Sequence, residues 1–294
     1  MAQQPIIIDG GTGTELERRG VPMNCTAWSA EAILTHPEIL AEIHADFLEA
    51  GADLLIANNF ACGLHNLEAA GLGDHFERVN TQSVAILRKV VEDACASCIA
   101  AGAVSTTTFS GALNYDMLPD GAAAVDYYAR QAQLQADAGA ELIILEMMRD
   151  ITQTTAALQG ALKTGLPVWV GFSTMQTEDG RTLLLDTDIP LPRALEEVPL
   201  ADAAAVGIMH TLVEHAPPAV QLVKDAWDGP AFAYPHAGHF IMPNWIFEDA
   251  ITPVAFAQAA RDLAAMGLDA VGGCCGITPA HIRALSEDFR ENGA

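Results

Sequence analysis

The chain has 294 residues, of which 38 are acidic and 14 basic, giving a formal net charge of -24. That excess argues against sequence-independent nucleic-acid binding, which needs a basic surface to release counterions, and against an anionic membrane face. Apolar residues make up 51 % and charged residues 18 %, which excludes a disordered chain and allows a large core. No run reaches the roughly 18 apolar residues of a membrane helix. Residues 1–5 offer no basic n-region and no apolar h-region, so no secretory signal is read there. Six cysteines are too sparse for a disulfide scaffold in a chain of this length. The expectation is an acidic cytoplasmic protein.

Taken in order, the first apolar run is 5–9, followed by Gly10-Gly11-Thr12-Gly13-Thr14. This glycine run has the wrong spacing for a phosphate loop, and no lysine follows it. Thr35-His36-Pro37-Glu38 predicts a helix start, with Thr35 as cap and an acid in the first turn. Ile39, Ile43, Phe47 and Leu48 would share a face, and Gly51 would end the helix. Further runs lie at 52–58, 98–105, 141–146, 167–173, 203–210, 231–236 and 269–275. Most are near-continuous in Ile, Leu, Val and Ala, the pattern of parallel strands covered on both faces. Thr252-Pro253 and Thr278-Pro279 repeat a cap-then-proline helix start. Segments 106–121 and 176–192 read as long loops over one end of the sheet.

Eight strands alternating with helices predict a single-domain (β/α)8 TIM barrel over residues 1–294. A doubly wound open sheet is the structural rival. Barrel enzymes place their chemistry at the carboxyl ends of the strands. Here those ends carry Asp9, Asn58, Asn59, Ser105, Glu146, Ser173, His210, His236, Cys274 and Cys275, in otherwise apolar runs.

The sharpest local feature is Gly272-Gly273-Cys274-Cys275-Gly276. Two adjacent thiols at an unwinding strand end can face one ion, and thiolates favour zinc; iron shares the preference. Two small buried residues are the plainer alternative. A third ligand is supplied by His210, which otherwise caps the next helix. His236 and His239 are ligands, second hydrogen-bonding partners or substrate contacts. His215, a turn into the following helix, reads as surface. Cys95-Ala-Ser-Cys98 has redox spacing but straddles a helix end and a strand start. Cys25 and Cys62 lie in early loops within reach of the barrel mouth.

The opening Ile8-Asp9-Gly10-Gly11-Thr12-Gly13-Thr14-Glu15 and the closing Gly272-Gly273-Cys274-Cys275-Gly276-Ile277-Thr278-Pro279 resemble the zinc-dependent homocysteine S-methyltransferase family. Trp28-Ser29-Ala30, Gly51-Ala52-Asp53 and Phe172-Ser173 with Asp179-Gly180 also fit, so the resemblance spans nearly the whole chain. It implies a (β/α)8 barrel, zinc held partly by Cys274 and Cys275, and homocysteine held by Asp9, the Gly10 backbone and Glu146. Three segments depart from the family pattern. Gly207-Ile208-Met209-His210 puts His210 where the third zinc cysteine stands in Gly-(Ile/Val)-Asn-Cys. Tyr234-Pro235-His236-Ala237-Gly238-His239 replaces Tyr-Pro-Asn-Ser-Gly-Glu, and Ala57-Asn58-Asn59-Phe60 replaces a Thr-Asn-Thr type segment.

The implied reaction carries a methyl group from a sulfonium or quaternary ammonium donor to a zinc-bound thiol, homocysteine by default. Three thiolates on zinc sum to -1, whereas one imidazole and two thiolates sum to zero. The neutral site acidifies a bound thiol more but leaves its sulfur less electron-rich. Trp28 is a cation–π candidate for the onium group, with core packing as its alternative. Asn59, His236 and His239 complete the substrate-facing candidates. The implied partners are these small molecules, with no nucleic acid and no membrane; a homo-oligomer is compatible, since family members vary. Two other readings stand beside this one: a zinc hydrolase using the His-rich mouth, and a homologue that binds metal without catalysis.

Overall fold

The computed structural model describes residues 4–23, 26–107, 118–241, 244–247 and 251–292. Eight parallel strands form one sheet. They are β1 (Ile6–Ile7), β2 (Leu54–Ile56), β3 (Ile99–Ser105) and β4 (Leu142–Met148). The second half is β5 (Val168–Phe172), β6 (Ala205–Leu212), β7 (Ala231–His236) and β8 (Ala270–Val271). Each pairs with its sequence neighbour, β8 pairs with β1, and a parallel bridge between Ile8 and Leu54 brings β1 to β2. The sheet is a (β/α)8 barrel, as the spacing of apolar runs predicts.

Strand parity builds the core. Leu142 and Ile144 of β4, Phe232 and Tyr234 of β7, Leu54 and Ile56 of β2, and Ala205 of β6 face the barrel interior. The residues between them, such as Ile143, Leu145, Ala231, Ala233 and Val206, pack outward against the helices. Small Ala101, Ala103, Ala205 and Ala270 leave room for the Phe232 ring, which stacks on Trp169 at 5.0 Å. Large side chains facing small ones fill the barrel without a central channel.

Helices cover the outside: α1 (Thr12–Arg18), α2 (Pro37–Glu49), α3 (Phe76–Asp93), α4 (Gly121–Asp137), α5 (Ile151–Leu162), α6 (Leu191–Glu197), α7 (Ala216–Ala226), α8 (Pro253–Ala264) and α9 (Pro279–Asn292). The start of α2 corrects the sequence reading. His36 is its N-cap, while Thr35 ends the preceding turn and its hydroxyl donates to Glu31 O at 2.9 Å. The buried stripe is Leu40, Ile43, His44 and Phe47, with Ile39 and Leu48 half-buried at its edges. Thr252 caps α8 as expected, accepting from Ala255 N at 3.3 Å. At α9 the Thr278 hydroxyl turns instead to His281 Nδ1 at 2.9 Å, and that ring nitrogen also accepts from Thr278 N. The histidine thus does the work of the acid in a capping box.

Segment 176–192 is not all loop. Thr174–Gln176 and Thr182–Leu184 form an antiparallel hairpin beyond β5, and His239–Ile241 pairs with Asn244–Ile246 beyond β7. Of the expected loop 106–121, positions 108–117 lie outside the described residues. Among the described residues no helix is long and apolar enough to cross a membrane.

Candidate metal centre

At the carboxyl ends of the strands the inward parity continues into polar side chains. Ile144 is followed two residues on by Glu146, Tyr234 by His236, and Ile56 by Asn58, so each aims into the barrel mouth. His210 breaks this rule. Ile208 packs outward and Met209 inward, so regular pleating would send His210 to the helix side. The pairing of β6 with β7 shifts register between Met209 and Leu212, and His210 has φ +44°. The bulge and the left-handed residue turn the imidazole into the mouth. A matching irregularity lies between Leu145 and Met148 of β4, where Met147 has φ +53°. Both strands run two residues past their expected ends because of these bulges.

His210 thereby meets the double cysteine. Its Nδ1 lies 3.5 Å from Cys274 Sγ, and Cys274 Sγ lies 3.8 Å from Cys275 Sγ. One donor atom from each residue falls within 4.8 Å of the other two, and all three residues line one cavity of about 620 Å³. Gly276, at φ +78°, makes the turn that lets both thiols face the same point. Burial lowers the His210 pKa well below its ordinary value, and nearby His236 and Arg149 add to this, so the ring is neutral and free to donate a lone pair. Burial pushes the Cys275 thiol up, with Cys274 beside it adding to the effect. Ligation therefore has to displace a proton there. Two thiols and a neutral imidazole, converging at a cavity wall with one side open, form a donor set suited to a metal ion.

Beside this centre lies a buried acid pair. Burial raises the Asp9 pKa well above the carboxylate range, and Glu146 adds to it; Ile56 N donates to Asp9 Oδ2 at 2.9 Å. Burial pushes Glu146 up to about 7, partly offset by the Tyr234 hydroxyl, which donates to Glu146 Oε1 at 3.1 Å. Glu146 and Gly10 line the cavity, whereas Asp9 sits beneath the lining. Burial thus biases two carboxyl groups towards their protonated forms at the base of the mouth.

The other expected residues divide. Trp28 lines the cavity and packs on Gly13, where a Cβ would collide with the indole. Its ring meets Phe60 edge-on at 6.0 Å, so the indole borders the cavity and packs in the core at once. His236 stacks on His210 with centroids 4.3 Å apart, and Trp245 meets both rings edge-on at 5.6 Å. His239 is exposed on the rim. His215 also lines the cavity, against the expectation of a surface residue. Asn59 does not line it: its amide donates to Asn80 O at 3.3 Å. Asn58 lines the cavity but is tied to Ser29 through both amide atoms. Ser105 and Ser173 serve the backbone, accepting from Thr107 N and donating to Met209 O. Cys62 is fully buried away from the lining, Cys95 is exposed, Cys98 is buried, and Cys25 lies outside the described residues. Sequence reasoning passed over Arg149, Tyr234 and Trp245, all of which line the cavity. Tyr234 was legible, being one inward step before His236; Arg149 lies past a bulge that pattern does not reveal.

A sequence profile described as homocysteine S-methyltransferase matches residues 6–289. The selenocysteine Se-methyltransferase of Brassica oleracea var. italica is 27 % identical, covering 95 % of this chain and 87 % of that protein. Homocysteine S-methyltransferase 3 of Zea mays is 25 % identical, covering 97 % and 90 %. The metallated form of the homocysteine methyltransferase MmuM from Escherichia coli has a TM-score of 0.76 at 24 % identity, covering 97 % and 96 %, and agrees on the fold. With the profile matched from the first barrel strand into the last helix, the chain belongs to the homocysteine S-methyltransferase family and is a thiol S-methyltransferase.

Proposed function

We propose that this chain, as one domain over residues 1–294, transfers a methyl group from an onium donor to homocysteine, with zinc held by His210, Cys274 and Cys275. The observation that carries the ligand set is the spacing of the donors. A tetrahedral zinc with S and N bonds of about 2.3 and 2.0–2.1 Å has edges of roughly 3.8 Å between sulfurs and roughly 3.6 Å between sulfur and nitrogen. Two of the three separations here are 3.8 and 3.5 Å, and the third lies within 4.8 Å. When bound, zinc supplies the positive charge that ionises the acceptor thiol near neutral pH.

The chain's own residues do the rest. Glu146 and Asp9 receive the acceptor's ammonium, whose positive charge favours loss of the Glu146 proton to solvent and leaves an ion pair steadied by Tyr234 Oη. Trp28 and Phe60 border the cavity and offer aromatic faces to the onium cation. Met147, Met209, Leu185 and Leu212 in the lining exclude water around the acceptor sulfur. A lone pair of that sulfur forms the new S–CH3 bond, and the electrons of the breaking bond return to the donor heteroatom, which leaves neutral. His236, stacked on His210, and His239, exposed at the cavity wall, serve as further substrate contacts. This reading is preferred to hydrolysis, because family membership and a two-thiol donor set both favour methyl transfer. The thiols Cys62, Cys95, Cys98, Cys274 and Cys275 are unpaired, which suits a reducing compartment, and we assign the chain to the cytoplasm.

The test is metal content beside activity for the wild type, His210→Ala and Cys275→Ala. About one zinc per chain in the wild type, lost in both variants together with methionine formation from homocysteine, supports the centre. Zinc lost only in Cys275→Ala moves the third ligand elsewhere. A metal-free wild type after zinc-replete expression overturns the proposal.

A further inference from the structure

One charged side chain of the cavity wall has no part in the scheme above. Arg149 is the only lysine or arginine among the described lining residues, and its side chain is 6 % exposed. It stands just past the β4 bulge and just before Asp150, the N-cap of α5, whose Oδ1 accepts from Gln153 N at 2.7 Å. The positive end of α5 thus reinforces the cationic character of the place. Arg149 Nη1 lies 3.1 Å from Asp186 Oδ2. That carboxylate is 64 % exposed, on the turn after the Thr182–Leu184 strand, and Asp186 has φ +59°. Asp186, the acid that reaches it from this turn, remains largely in water. Such a half-exposed pair is weakly held, while a guanidinium inside a cavity gains most from a carboxylate that comes inside with it.

We propose that Arg149 anchors the carboxylate of a bound substrate, and that Asp186 holds the guanidinium in the free protein and yields to that carboxylate. The geometry suits it: a guanidinium binds carboxylate through two parallel N–H donors, and an exposed turn can release its acid cheaply. Arg149 and Glu146 both line the cavity, so a guanidinium for a carboxylate and an acid for an ammonium share one mouth. The carboxylate belongs either to the amino-acid acceptor or to a carboxylate-bearing onium donor. The inference rests on the methyl-transfer reading for its substrates but not for its test.

The test measures calorimetric binding to the zinc-loaded protein. L-homocysteine is compared with its amide in one arm, and S-methylmethionine with its amide in the other. In the arm that uses Arg149, the wild type prefers the acid. Arg149→Met then weakens the acid about 10- to 100-fold and leaves the amide within about twofold. Arg149→Lys falls between, and Asp186→Asn tightens the acid a few-fold by removing the competitor. These last two variants carry the test if Arg149→Met folds poorly. Equal loss for acid and amide, no preference in either arm, or no binding at all overturns the assignment. Methyl-transfer assays run alongside fail separately: no product from any onium donor, with the acid preference intact, sinks the reaction and keeps the anchor.

Discussion

Glu146 shows how a single buried group ties stability to function. Its folded pKa is raised to about 7, from an ordinary 4.5, by burial. Between those values the folded state holds a proton that the unfolded chain releases, so the carboxyl destabilises the fold increasingly as pH rises, fully above about 7. The shift of about 2.5 units corresponds to about 3 kcal/mol as an upper figure. Glu146→Gln is expected to be more stable than the wild type at pH 8 by up to that amount, with the difference vanishing near pH 4.5. Urea titrations of the metal-free protein at pH 8 and 5 measure it, and an equal effect at both pH values would remove the burial argument. The same variant should lose at least tenfold in homocysteine affinity, because a neutral amide cannot become the ammonium's counter-ion. His210 carries the opposite lesson. Cysteine there would take the zinc-loaded site from net charge zero to -1, so His210→Cys should keep about one zinc per chain. Its bound acceptor thiol should ionise at higher pH, which a pH profile of kcat/KM at saturating donor would reveal.

The elements explain what pattern could and could not foresee. All eight strands were visible as apolar runs, because a parallel strand buried on both faces has no polar residues to interrupt it. Glu146 and His236 were visible too, as the next inward positions of β4 and β7. Asn59 was misjudged because a polar residue at a strand end faces the mouth only if its parity is right, and its amide turns to Asn80 behind the barrel wall. The bulges in β4 and β6 leave no mark in composition, so neither Arg149 nor the inward turn of His210 follows from alternation; the double-cysteine motif had to point to it. Helix ends were equally mixed. Thr252 and Thr278 precede the same Thr-Pro start, yet only Thr252 spends its hydroxyl on a helix N–H. Thr252→Ala should therefore cost about 1 kcal/mol of stability and leave kcat/KM within about twofold, since the α8 N-terminus lies outside the cavity lining. Chemical denaturation and a rate assay check both halves. A large rate loss would mean that α8 couples to the mouth.

At the scale of the whole molecule the charge of -24 becomes a kinetic property. Its field draws cations towards the surface over a Debye length of about 30 Å at 0.01 M salt and about 3 Å at 1 M. The rim adds local acids: Asp186 is 64 % exposed, and exposed Glu214 lies near enough to His236 to act on its charge. A donor with net positive charge is steered inward, while a donor whose charges cancel is not. S-methylmethionine carries one net positive charge, and glycine betaine carries none. If the acidic surface works by capture, kcat/KM for the first should fall several-fold between 0.01 and 1 M salt, and kcat should hold. For betaine, where it is used at all, both constants should stay within about twofold. Initial rates at subsaturating donor across a salt series distinguish this from a salt-sensitive metal centre, which would lower kcat for both donors together. An unchanged kcat/KM for the cationic donor would mean that the negative surface serves solubility alone, and that donor selection resides entirely in the aromatic and arginine-bearing walls of the cavity.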